Sequence, residues 1–265
     1  MSDAHWGLAR RPFANSPDPA FVYRTDAFAE GLARLVYDAT DLRGGLSLIT
    51  GEIGCGKTML AHALAERIAG QAGPVISLPY PKVTPAELLG HLAVGLGMEP
   101  MPRGKLARVA ALGSHLAALQ RNGRRPVLVV DEAQLATPSL LEEIRLLTNH
   151  EDRQAKHLHV VLLGQPELRD RVRRRPQIDQ RVSLRYHVEP MDESDVGGYV
   201  THRLAVAGAA RAIFSDGALA TLASRSLGVP RRVNTLATQA LFVGAMRRLD
   251  EIDAGLMTDV ADDQE

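Results

Sequence analysis

The chain has 265 residues, of which 45% are hydrophobic and 23% charged, with a formal net charge of zero. That content sustains one large domain and a smaller one and excludes a disordered polyelectrolyte, while the neutral balance leaves only local patches as electrostatic cues. A single cysteine, Cys55, excludes an internal disulfide and fits a reducing interior. There is no basic-then-apolar leader, and no apolar run approaches a bilayer span, so a cytoplasmic protein without membrane insertion is expected.

Residues 1–25 carry Pro12, Pro17 and Pro19 among Trp6, Phe13, Phe21 and Tyr23. The prolines argue against helix, and the aromatics need burial, so an arm packed on the core is expected. Thr25 or Asp26 caps a helix over 26–42, with Phe28, Leu32, Leu35 and Val36 on one face. Strands follow at 46–50 and 75–78. Thr84-Pro85-Ala86-Glu87 opens a helix with a cap, a proline in the first turn and a glutamate at the third position. After a Pro/Gly turn at 99–104 comes a helix over 105–120, with Met98 and Met101 read as loop or core filler. Asn122-Gly123 turns into a third strand, 126–130. Thr137-Pro138 starts another helix, and strands at 158–163 and 184–188 bracket a basic helix. Five alternations of strand and helix predict an α/β fold, a three-layer αβα sandwich around a five-stranded parallel sheet.

The pattern changes near residue 190. Three helices follow, starting near Asp192 or Ser194, after Ser215, and after Gly228-Val229-Pro230. The expected organisation is an arm (1–25), an α/β domain (26–190), a small all-helical domain (191–249) and an acidic tail that frays (250–265).

The chemistry is concentrated at two places. Gly51-Glu52-Ile53-Gly54-Cys55-Gly56-Lys57-Thr58 is a G-x-x-x-x-G-K-[ST] phosphate loop between a strand and a helix that runs from Met59. Glycines let backbone N–H groups turn inward on phosphate oxygens, and the helix start adds partial positive charge. Lys57 is expected on the β- and γ-phosphates and Thr58 on Mg²⁺. Cys55 stands at a variable position, as small filler or as a redox-sensitive thiol. The strand 126–130 then ends in Asp131-Glu132, at the sheet edge where ligands of open α/β sheets sit. Asp131 is the expected second holder of Mg²⁺, and Glu132 the base that orients and deprotonates water.

A five-strand ATP-binding core followed by a helical lid resembles the AAA+ ATPases. Narrower signatures look like the ExeA/GspA-type ATPases: Trp6-Gly7-Leu8, Arg11-Pro12-Phe13, Pro17-Asp18-Pro19, Phe21-Val22-Tyr23, Gly51-Glu52-Ile53-Gly54, Asp131-Glu132-Ala133-Gln134, Gly164-Gln165-Pro166-Glu167-Leu168 and Gly228-Val229-Pro230-Arg231. The resemblance spans nearly the whole chain and extends to transposition ATPases of the TniB and TnsC kind. It implies ATP and Mg²⁺ as cofactors, with ATP over GTP resting on the resemblance alone. It implies that Gln165 is a sensor 1 residue and Arg231 a sensor 2 residue, with Arg232 as its substitute. Arg181 resembles the arginine finger that acts on a neighbour's ATP, with Arg185 competing and Arg174 or Arg175 as further alternatives, so a homo-oligomeric ring or filament is expected. Phe13, Phe21 and Tyr23 line an adenine site or pack in the core.

The run Arg169 to Arg175 is a solvated helix face, a contact for a nucleic-acid backbone or a contact for an acidic neighbour. His150, His157 and His159 lack the cysteine or carboxylate spacing of a zinc site. Glu142 and Glu143 read as surface charges. Secretion members of the family that the chain resembles are expected to carry an anchor and a wall-binding region beyond the ATPase, and neither is expected in this chain. A transposition regulator that binds duplex DNA and a transposase therefore fits at least as well as a partner of secretion machinery. The alternative is a nucleotide-dependent scaffold that does not hydrolyse.

Overall fold

The computed structural model describes residues 2–15, 18–41, 44–70, 72–98, 100, 102–153 and 155–264. The expectations that rest on Pro17, Leu42 and Met101, and part of the 99–104 turn, lie outside these residues. In chain order the elements are α1 (Ser2–His5), α2 (Asp26–Thr40), β1 (Leu46–Gly51), α3 (Lys57–Ile68), β2 (Val75–Leu78), α4 (Pro85–Gly95), α5 (Lys105–Arg121), β3 (Val127–Val130), α6 (Pro138–Leu147), β4 (His159–Gly164), α7 (Glu167–Arg173), α8 (Pro176–Asp179), β5 (Val182–Val188), α9 (Glu193–Val206), α10 (Asp216–Ser226), α11 (Pro230–Met246) and α12 (Ala254–Asp262). Short 3₁₀ turns occupy Pro19–Phe21 and Ala133–Leu135. Contacts divide the chain into two units, one of 28–53 and 57–188, the other of 1–27, 54–56 and 189–265.

In the α/β unit the five strands form one sheet in the order β2-β3-β4-β1-β5, with every pairing parallel. Parallel strands buried on both faces read as continuous apolar runs, and the period of two then deals alternate residues to opposite sides. Leu46, Leu48, Leu128, Val130, Val160 and Leu162 face a core shared with α4, α5 and α6. Ile49, Val127, Val129, Val161 and Leu163 face the other core, shared with α2 and α3. The result is the expected three-layer sandwich. The helices start where their caps place them. Thr84 and Glu87 complete a reciprocal capping box on α4, and the Thr137 hydroxyl accepts from the Leu140 N–H on α6. Glu143 departs from the surface reading: it is buried, and its carboxylate accepts from Lys105 Nζ at 2.6 Å.

A polar cluster is buried where β1, β4 and β5 begin. Ser47 and Ser183 both donate to Asp38 Oδ2, at 2.6 and 2.9 Å. His159 lies 3.0 Å from Ser47 Oγ through Nε2 and 2.8 Å from the Gly44 carbonyl through Nδ1. Arg125 donates to the Ala39 and Gly44 carbonyls. Gly44 is required here, because a Cβ would fall 2.1 Å from Ser183 Oγ and 2.2 Å from Asp38 Oδ1.

The helical unit packs α9, α10, α11 and α12 around one core that also takes in Trp6, Leu8, Phe13 and Phe21. Two expectations are corrected. The arm packs into the core of the helical unit, and it contains a short helix ahead of its prolines. Trp6 Nε1 donates to the Leu241 carbonyl, and buried Arg203 donates to the carbonyls of Pro12 and Ala14. Phe13 and Phe21 are accordingly core residues. The tail does not fray. Asp253 caps α12 through the Leu256 N–H, and Leu256, Met257, Val260 and Ala261 are buried at helical spacing. A fourth helix therefore closes the unit, its acidic residues standing on the outward face.

Candidate nucleotide site

β1 ends at Gly51, and α3 begins at Lys57, so the phosphate loop is the connection between a central strand and a helix N-terminus. Gly54 and Gly56 adopt φ of +86° and +96°, conformations that turn successive backbone N–H groups to one side and that strain any residue with a Cβ. A Cβ on Gly54 would also lie 2.7 Å from the Cβ of Arg231. Cys55 is buried, Ile53 is 57% exposed, and Met59 sits in the first turn of α3. Lys57 is buried, and its ammonium donates to the carbonyls of Gly51 and Glu52, both at 2.8 Å.

Across the sheet edge, Thr58 Oγ1 donates to Asp131 Oδ2 at 2.7 Å. These residues are 73 positions apart, and they meet because the order β3-β4-β1 brings the ends of β3 and β1 to the same rim. The other oxygen, Asp131 Oδ1, accepts the Glu132 N–H at 2.8 Å. Glu132 itself sits in the left-handed region, φ 48° and ψ 36°, a conformation costing about 1–2 kcal/mol for a residue with a side chain. That turn swings the glutamate off the strand axis and starts the 3₁₀ turn Ala133–Leu135.

Gln134 on that turn is largely buried. Its Nε2 donates to Glu132 Oε2 at 2.5 Å, and its Oε1 accepts the backbone N–H of Gln165 at 3.2 Å. Gln165 follows directly on β4, beside β3, and its side chain is half-exposed. Gln134 received no role from the sequence. The available signal was its register, two residues after Glu132, which only the left-handed turn makes meaningful.

The arginines fall in different places. Arg181 is half-exposed just before β5, and its charge reaches Glu142 and Glu151. Those carboxyls are held below the usual range chiefly by hydrogen bonds from Arg145 and Lys156 respectively, with Arg181 adding a smaller pull. Arg185 is tied to Asp179 at 2.9 Å, and Arg232 donates to the Arg225 carbonyl at 2.8 Å. Arg231 is exposed in the first turn of α11, its Cβ against Gly54. In the basic run, Arg171 and Arg175 bond to the Ala136 and Arg171 carbonyls, while Arg169, Arg173 and Arg174 are exposed.

A glycine-bearing loop at a helix start, a lysine ammonium, and a hydroxyl touching a carboxylate make a donor set suited to a polyphosphate and a hard divalent cation. Among the described residues, no helix is long and apolar enough to cross a membrane.

Comparisons with known proteins bear on the domain and the fold. Residues 41–172 match the family model of an AAA domain. General secretion pathway protein A of Aeromonas hydrophila is 38% identical over 261 residues, covering 96% of this chain and 47% of that protein. The chain thus spans about half the length of the curated relative it matches. The Aeropyrum pernix ORC2 protein, solved in ADPNP–ADP complexes, superposes with a TM-score of 0.74 at 18% identity, over 98% of this chain and 73% of that one. Drosophila ORC bound to DNA gives 0.70 at 19% identity, over 97% of this chain and 65% of that one. At such identities these likenesses speak to the fold. With an AAA domain matched over its phosphate loop and first four strands, the chain carries an AAA domain in an AAA+ fold, and it is similar to general secretion pathway protein A along nearly all its own length.

Proposed function

We propose that the chain binds Mg-ATP at the Gly51–Thr58 loop and hydrolyses it. The observation that carries this reading is the 2.7 Å contact of Thr58 with Asp131, which joins a phosphate loop to a carboxylate pair at one rim of the sheet. Gly51 to Lys57 would cradle the phosphates, with Lys57 exchanging its two carbonyl partners for phosphate oxygens. Thr58 and Asp131 would hold Mg²⁺. The bound cation would neutralise charge on the phosphates. Glu132 takes a proton from the attacking water and orients it. Gln165, on the loop after β4, bonds the γ-phosphate or the water. Arg231 answers to the loop through its contact at Gly54, and Arg181 supplies a fixed positive charge to a neighbouring copy's phosphates.

Phosphate release by wild type, Lys57→Ala and Glu132→Gln tests this. Lys57→Ala loses nucleotide binding. Glu132→Gln keeps ATP bound and loses turnover by roughly 10²–10⁴-fold, the usual contribution of a general base. Equal turnover in all three proteins would refute the reading. Tight ATP binding with no turnover at any protein concentration would instead favour a scaffold. Turnover rising steeply with concentration supports an oligomer completed by Arg181.

For the cellular role, the 38% identity to general secretion pathway protein A favours a secretion-associated switch over a mobile-element regulator. Contact of Arg169, Arg173 and Arg174 with duplex DNA is the second reading, supported by their exposure and by the DNA-bound neighbour in fold. It requires ATP-dependent, salt-sensitive retention of duplex DNA without sequence choice.

A further inference from the structure

We infer that Gln134 is a positioning residue that locks the Glu132 carboxylate and couples it to the backbone at Gln165. The inference rests on the assignment of Glu132 as the base.

The side-chain amide of Gln134 makes two bonds of opposite sense. Nε2 donates to Glu132 Oε2 at 2.5 Å, and Oε1 accepts the Gln165 N–H at 3.2 Å. A carboxylate can only accept, and a backbone N–H can only donate, so the two partners admit one orientation of the amide. Asparagine is a methylene too short to span both. Glutamate would set a second carboxylate against the first.

The surroundings are shaped to this amide. Gln134 is only 9% exposed. Gly164, the last residue of β4, leaves room for it: a Cβ there would stand 2.7 Å from Gln134 Oε1 and 2.7 Å from Leu168 Cδ2. Glu132, by contrast, is exposed and sits on a strained left-handed turn. An exposed carboxylate on such a turn would sample several rotamers without a tether. The bond from Gln134 removes that freedom at Oε2 and leaves Oε1 to receive the water's proton. It also makes the Glu132 pose sensitive to Gln165, so that movement of the loop after β4 is transmitted through a single rigid amide. Misplacing a reacting group by about 1 Å can cost roughly 100-fold in rate.

Gln134→Met keeps the length and burial of the side chain and removes both bonds. Steady-state turnover, ATP KM and ADP affinity by calorimetry are measured for wild type, Gln134→Met, Glu132→Gln and the double variant. The expected result for Gln134→Met is kcat lowered about 10- to 100-fold, with KM and ADP affinity within about twofold. In the Glu132→Gln background, where no carboxylate remains to position, the same change alters residual single-turnover hydrolysis less than about twofold. Gln134→Met turning over like wild type while Glu132→Gln is inactive would overturn the inference and leave the ATPase reading standing. An equal loss in both backgrounds, or lost ADP binding, would make Gln134 a general packing residue and overturn it as well. Undiminished turnover of Glu132→Gln would remove the base assignment itself.

Discussion

His159→Gln isolates the energetic cost of burying an ionisable ring in the sheet. His159 is fully buried at the start of β4, faced by Asp38, Arg125, Ser47 and the Gly44 carbonyl. Burial pushes its pKa from 6.5 down to about 4, with the Arg125 charge adding to that direction and the Gly44 bond and Asp38 opposing it. The folded value lies below the unfolded one, so in this window the unfolded chain binds a proton that the folded chain refuses. Stability from this group is complete above pH 6.5 and is lost as pH falls toward 4. At pH 5 the unfolded imidazole is about 97% protonated and the folded one about 10%, a loss of about 2 kcal/mol relative to pH 7.5, growing to about 3 kcal/mol at pH 4.

Urea unfolding followed by circular dichroism, at steps between pH 7.5 and pH 5, measures this in wild type and His159→Gln. The difference between the two proteins cancels the other titrating groups. At pH 7.5 the variant is less stable, because it loses the ring's contacts to Gly44 and Ser47. The gap then closes by about 2 kcal/mol by pH 5. A gap constant to within about 0.5 kcal/mol across that range would refute the reasoning. ATP turnover at pH 7.5 is unchanged in the variant, since the cluster lies at the opposite end of β1 from Gly51.

Beyond the Lys57, Glu132 and Gln134 variants, two further tests concern the loop and the tail. Gly54→Ala and Gly56→Ala carry similar left-handed strain of about 1–2 kcal/mol, but only Gly54→Ala meets the Arg231 Cβ, for a further ~1–3 kcal/mol. Thermal unfolding should therefore rank Gly54→Ala as the less stable, and adding Arg231→Gly should close the gap; equal stabilities would show that the loop does not touch α11. Removing residues 254–265 deletes the buried Leu256, Met257 and Val260 and exposes the core residues they cover, at a cost of more than about 4 kcal/mol. A truncated protein melting within a few degrees of the full chain would rule out a packed α12.

The local features of this protein are written in short stretches of its sequence. The phosphate loop, the apolar strand before Asp131, and the caps at Thr84, Thr137 and Ser215 each depend on neighbours within a few residues, and the parallel α/β architecture follows from their alternation. Even the tail was locally encoded, since Leu256, Met257, Val260 and Ala261 keep helical spacing beneath the acidic composition. What only tertiary structure decides is which distant residues meet. Strand order, a property of the whole sheet, sets Thr58 against Asp131. The left-handed backbone at Glu132 turns a register of two into a hydrogen bond with Gln134. The burial of Glu143, His159 and Arg203 depends on partners supplied by other elements, because a charged or polar side chain enters a core only where the fold delivers a counterpart to receive it.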